Sequence, residues 1–128
     1  MKNIAAFFAM SWNPGEDEAE QHAARIRTRM MEAPAPPILL ETAGFLLADL
    51  SRPVTADSPL IEIRRTDGQF GGAIFGTLFP RNGYLRLTEI RHAAATSLLD
   101  GGGRKIYDDY WGSYVAFFRT GEDLAVYT

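Results

Sequence analysis

The 128 residues, 46% of them hydrophobic, suffice for one globular domain, because a chain of this length buries roughly two thirds of its unfolded surface. A net charge of −3 and a pI near 5.3 argue against the concentrated basic face of a nucleic-acid module, and no run of about 18 apolar residues is present to span a bilayer. With no Cys, disulfides, thiolate metal sites and thiol catalysis are excluded together; the stretch Lys2 to Met10 is too short for a signal peptide, and a cytoplasmic location is expected.

Ile4 to Trp12 is a continuous apolar run dense in aromatics, which predicts a strand covered on both faces and placed centrally in its sheet. Asn13-Pro14 then reads as an N-cap followed by Pro at the first helical position, with Glu16, Asp17, Glu18 and Glu20 at the start and Arg25, Arg27 and Arg29 near the end. The apolar positions Ala19, Ala23, Ile26 and Met30 recur at helical steps, so one narrow face of this helix is expected to pack. Ala33-Pro-Ala-Pro-Pro37 stops it and sets a surface loop.

Ile38-Leu-Leu40 and Gly44 to Leu50 resume strand character, and Pro53 and Pro59 bracket a further loop. Leu60 to Arg65 alternates with Ile61 and Ile63 on one face, and Asp67-Gly68 marks a turn. Phe70 to Phe79 is apolar throughout with three glycines, the pattern of a buried strand that another backbone or a ligand approaches closely. Asn82-Gly83 turns into Tyr84-Leu-Arg-Leu87, and Thr88 is placed to cap a second helix that carries Ala93, Ala94, Ala95, Leu98 and Leu99 and ends at Gly101. A third short helix is expected through Tyr110, then a hairpin of Ser113–Phe118 and Leu124–Thr128 around Arg119 to Asp123. The chain stops inside a strand without a polar tail, so a longer polypeptide is expected. Strands, then helices, then strands predict an α+β fold of two stacked, mainly antiparallel sheets with helices outside, an αββα sandwich.

Lys105-Ile-Tyr-Asp-Asp-Tyr-Trp-Gly-Ser-Tyr-Val-Ala-Phe-Phe118 reads as a short helix, a Trp-Gly corner and a buried strand in succession. It resembles the N-terminal, glutaminase-like half of asparagine synthetases, a class II amidotransferase domain of the N-terminal-nucleophile (Ntn) hydrolase type, and most of all that of the asparagine-synthetase-like cyclases that close lasso peptides. The resemblance spans most of the chain but is specific only in its last third and in Gly71 to Phe79, and it makes Asp109, Trp111 and Gly112 the structural signature. It also implies the αββα sandwich.

In that family the nucleophile is a Cys exposed at the mature N-terminus, whereas this chain starts Met1-Lys2-Asn3. The family's oxyanion pair is Asn-Gly; here Phe75-Gly76 stands at that place as a vestige, because the Gly N–H survives as a donor and the aromatic ring cannot donate. The acid that holds the glutamine amine has no counterpart in Ala94 to Leu99, and for the Arg that clamps the glutamine carboxylate only Arg52 or Arg64 can be argued. No catalytic residue is therefore assigned, and an inactive glutaminase-like domain is expected.

Other chemistries are poorly served. Ser11, Ser51, Ser58, Ser97 and Ser113 lack a Gly-x-Ser-x-Gly setting, and His22 and His92 read as solvated rather than as metal ligands, so no metal site is assigned. Asp108 and Asp109 point about 100° apart on a helix and do not converge on one substrate; one of them accepting an N–H to fix the Trp-Gly corner is the sharper alternative. Gly101-Gly-Gly-Arg-Lys105 lacks phosphate-loop spacing and reads as a helix cap. Trp12, Phe70, Phe75, Phe79, Tyr110, Trp111 and Tyr114 are expected mostly in the core, any left exposed forming an apolar docking surface.

The resemblance implies a non-catalytic domain of an ATP-dependent amide-forming enzyme. Its C-terminal synthetase half, the expected partner, would use ATP and Mg to adenylate an Asp or Glu side chain, and this chain itself would hold no cofactor. A precursor peptide and a leader-processing protein are the further partners so implied, with no nucleic acid and no membrane, and self-association is expected of the isolated domain. The N-terminal region of a glutamine-hydrolysing asparagine synthetase and a free-standing peptide-binding module are the alternatives.

Overall fold

A computed structural model of the chain describes residues 6–50, 60–121 and 123–128, which fall into two compact units, Met1–Ser58 and Pro59–Thr128. Pro53, Pro59 and the start of the first apolar run lie outside the described residues.

In the first unit, strand β1 (Phe7–Ser11), helix α1 (Asp17–Met30), β2 (Ile38–Thr42) and β3 (Phe45–Asp49) build a three-stranded antiparallel sheet in the order β1-β3-β2. The expectation for β1 is corrected: it is an edge strand of this sheet with exposed ends and a half-buried middle, and β3, every residue of which is buried, is the central strand. A continuous apolar run does not by itself distinguish the two positions; β3 wins because it pairs on both sides, Phe45 opposite Ser11 and Thr42. Gly44, at φ 79°, closes the β2–β3 turn.

Helix α1 begins three residues later than the Asn-Pro pair suggests. Asn13 Oδ1 accepts from the Gly15 N–H at 3.0 Å, so Asn13-Pro14-Gly15 forms a turn of its own, and Glu16 caps the helix without a side-chain bond. The narrow apolar face is as expected: Ala23 is buried, and Ala19, Ile26 and Met30 are half-buried. Asp17, Glu18 and Glu20 in the first turn and Arg27 and Arg29 in the last complement the helix dipole.

In the second unit, β4 (Leu60–Arg64), β5 (Phe70–Pro80), helix α2 (His92–Asp100), helix α3 (Ile106–Asp109), β6 (Tyr110–Thr120) and β7 (Asp123–Tyr127) form a four-stranded antiparallel sheet in chain order, with two helices. Asp67 and Gly68 make the expected turn, Gly68 at φ 84° and Gln69 donating its N–H to Asp67 Oδ1 at 3.0 Å. Ile61, Ile63, Ile74, Leu78, Ala116 and Phe118 share one sheet face and form the core with Ala95 and Leu98 of α2 and Ile106 of α3. On the opposite face Ala73, Phe75, Val115 and Phe117 are buried as well.

Three further expectations are corrected. Tyr84 to Leu87 forms no strand; Leu87 donates one N–H to Leu78 O at 2.8 Å, while Tyr84 and Leu85 are 91% and 85% exposed. Helix α2 starts at His92 after an extended Arg91, so Thr88 does not cap it. Trp111-Gly112 is not a corner: the ladder of β6 reaches back to Tyr110, pairing Trp111 with Phe79 and Gly112 with Leu78, so the helix turns into the strand at Asp109-Tyr110.

Candidate functional site

Phe75 and Gly76 lie on β5, where sheet pairing decides what they can do. Phe75 is buried, opposite Leu60 on one side and Val115 on the other, and belongs to the packed interior. Gly76 sits at φ 130° with its α-carbon so close to β6 that a Cβ would lie 2.4 Å from Ser113 O, a backbone approach only Gly allows. Gly72 shows the same closeness, its hypothetical Cβ 2.6 Å from Phe117 O. The glycines of β5 therefore serve backbone and ring contacts in the sheet.

The signature residues separate by role. Gly112, at φ 145°, would place a Cβ 2.1 Å from Thr77 O. The Trp111 ring stacks on Phe79 across the ladder, with centroids 4.3 Å apart and planes at 18°, yet remains 45% exposed, so it is a surface pair rather than core. Trp12, Tyr110 and Tyr114 are half-buried, and Trp12 Nε1 donates to Glu20 Oε1 at 2.9 Å, while Phe70 and Phe75 are core residues. Asp109 is exposed and contributes its backbone carbonyl, which accepts the Arg81 N–H at 2.9 Å; Asp108 likewise offers its carbonyl, to Arg81 Nη1 at 3.3 Å. The link at this junction thus runs through main-chain oxygens and not through the carboxylates.

Gly101 to Lys105 is a helix cap, as its spacing suggests. Gly103 donates to Leu98 O at 2.8 Å and Gly102 to Leu99 O at 3.0 Å, the paired bonds of a Schellman motif, with Gly102 at φ 66° and Gly103 at φ 91°. Phe118 lies against Gly103 so closely that a Cβ there would be 2.2 Å from its ring. Arg64 pairs with Glu62 and donates to Gly68 O at 3.1 Å, which ties it to the β4–β5 turn; Arg52, Ser51 and Ser58 lie outside the described residues. His22 and His92 are both exposed, Ser97 Oγ accepts from Lys105 Nζ at 3.1 Å, and Ser11 and Ser113 lie on strands. Among the described residues no three His, Cys, Asp or Glu side chains gather as a metal site, and none of the helices is long and apolar enough to cross a membrane.

A concavity that can hold a ligand lies elsewhere in the second unit. The irregular segment between β5 and α2, pinned by the Leu87 N–H on Leu78 O, opens a groove of about 400 Å³ lined by Pro80, Leu87, Ile90, Ala94 and Tyr110, with Arg86, Thr88, Glu89 and Arg91 on its exposed margin. Burial, and then the neighbouring Asp109 charge, push the Tyr110 phenol above its ordinary pKa, so at neutral pH it is a neutral donor. Sequence reasoning missed this site. Its signal is the alternation of Leu85, Leu87 and Ile90 with Arg86, Glu89 and Arg91, which fits neither a strand nor a helix over its full length and is split by a reading that extends Tyr84 to Leu87 and caps a helix at Thr88. Asp49, a fully buried acid at the end of β3, was also missed; the clue is an acid enclosed in the apolar run Gly44 to Leu50.

No protein-family model, curated protein or solved structure matches the chain.

Proposed function

We propose that the chain is a non-catalytic, glutaminase-like N-terminal domain of an asparagine-synthetase-like amide-forming enzyme of the lasso-peptide cyclase type. The observation that carries this reading is the direct run of α3 into β6, a strand buried from Val115 to Phe118, within the segment that bears the resemblance, in a chain that has no Cys. The α+β character and the two antiparallel sheets support it, being compatible with a sandwich. In such an enzyme the amine of a peptide replaces ammonia, so the glutamine-hydrolysing residues become dispensable. ATP and Mg would belong to the synthetase half, because the Gly101–Lys105 loop of this chain is a helix cap and not a phosphate cradle. The retained role of the domain is to brace that half.

The test is association with a separately expressed synthetase half of a lasso-peptide cyclase. Light scattering after size exclusion is expected to show a one-to-one complex, and adding the chain is expected to raise AMP release in the presence of an Asp- or Glu-containing precursor peptide. Two independent species, with AMP release unchanged, would reject the reading.

A further inference from the structure

We propose that the groove between the β5–α2 segment and Tyr110 binds an extended peptide carrying an acidic side chain next to an apolar one. Its floor offers Leu87, Ile90, Ala94 and Pro80 to an apolar side chain, and its volume of about 400 Å³ lies within the range of small-ligand sites. Arg86 and Arg91 stand on the margin, both exposed, and neither side chain makes a hydrogen bond or ion pair among the described residues.

Charge selects the ligand. Arg86 and Arg91 stand against Glu89 on the margin and the Asp109 charge beside Tyr110, so the site has no positive excess for a phosphate dianion, and two guanidiniums without side-chain partners match a single carboxylate better. Length selects a polymer over a small acid. Tyr84 and Leu85, immediately before Arg86, are 91% and 85% exposed, so the apolar surface continues past the groove and can contact a ligand longer than the groove itself. An extended peptide supplies both the anchored carboxylate and the flanking apolar contacts.

This inference stands apart from the amide-forming reading, since it concerns direct peptide binding by the chain alone. Fluorescence anisotropy of a fluorescein-labelled Gly-Leu-Glu-Leu-Gly peptide titrated with the whole 128-residue chain at low salt tests it. Saturable binding is expected, weakened about tenfold by Arg86→Ala with Arg91→Ala, by Glu→Gln in the peptide, and by Ala94→Phe, which fills the groove. Arg104→Ala, an exposed arginine outside the groove, is expected to leave it unchanged. Absence of saturation, equal binding of the Gln peptide, or binding indifferent to the double arginine variant would overturn the proposal. So would free hexanoate competing as well as the unlabelled peptide, which would make this a site for small acids.

Discussion

Gly112 carries two constraints that no other residue type satisfies together. Its φ of 145° lies outside the range of L side chains, and the space where a Cβ would go is occupied by Thr77 O, 2.1 Å away. Thr77 lies on β5, in the longest ladder among the described residues, so relief by backbone movement would disturb β5–β6 pairing. Gly112→Val is expected to cost about 2 kcal/mol or more, whereas Gly68→Ala, at φ 84° with open space around it, is expected to cost about 1 kcal/mol from backbone strain alone. Chemical denaturation of the two variants checks this; equal midpoints would show that the contact with Thr77 is not what holds the position. The need for Gly here was legible in the sequence, but its cause was not. A helix-to-strand corner and a close cross-strand approach leave the same residue type in the sequence, and only the pairing partner separates them.

At the scale of elements, periodicity identified what it physically encodes. Ile61 and Ile63 point to the core, and the Ala19–Ala23–Ile26–Met30 face of α1 is the inward one, because alternation and helical spacing both record a difference between two sides. Strand order leaves no such record, so β1 was read as central when β3 is; and caps fail where a turn intervenes, as at Asn13 and Thr88. The end of the chain is better tied than its sequence suggests. Although β7 has only β6 as a strand neighbour among the described residues, Tyr127 OH donates to Gly102 O at 2.9 Å, and its ring meets Phe118 edge-on with centroids 6.0 Å apart. The bond joins the last strand to the cap of α2. Tyr127→Phe is expected to lower stability by about 1 kcal/mol, since the donor goes and the ring stays. Tyr107→Phe, which loses an exposed 3.4 Å contact to Thr128 O, is expected to change it by less than about 0.5 kcal/mol. Thermal or denaturant melts of both variants decide the matter, and the reverse ranking would mean that the α3–β7 contact, not the α2 cap, secures the strand.

For the molecule as a whole, the candidate site was the least legible part, because groove residues such as Arg86, Ile90 and Arg91 come from an irregular segment whose shape depends on the strand beneath it. The resemblance places an oxyanion pair at Phe75-Gly76, and the fold adds why single substitutions are not expected to confer glutaminase activity. Phe75 is a buried residue of β5, and Ala95, within the stretch where the resemblance implies an amine-holding acid, is a buried member of the apolar cluster on α2. An acid at position 95 would bury an unpaired carboxylate among Ile61, Leu98 and Ile106, which costs several kcal/mol unless it takes up a proton, and a protonated acid cannot hold a substrate ammonium. The chain is therefore expected to form no glutamate from glutamine, and inserting Cys directly after Met1 is expected to leave it inactive, because a nucleophile alone supplies neither the side-chain oxyanion donor nor the substrate-orienting charge. A coupled glutamate assay on both proteins is the measurement. Glutamate formation above the protein-free blank and abolished by heating would show that Gly76 and its neighbours still assemble a working oxyanion site, and that the inactive reading is wrong.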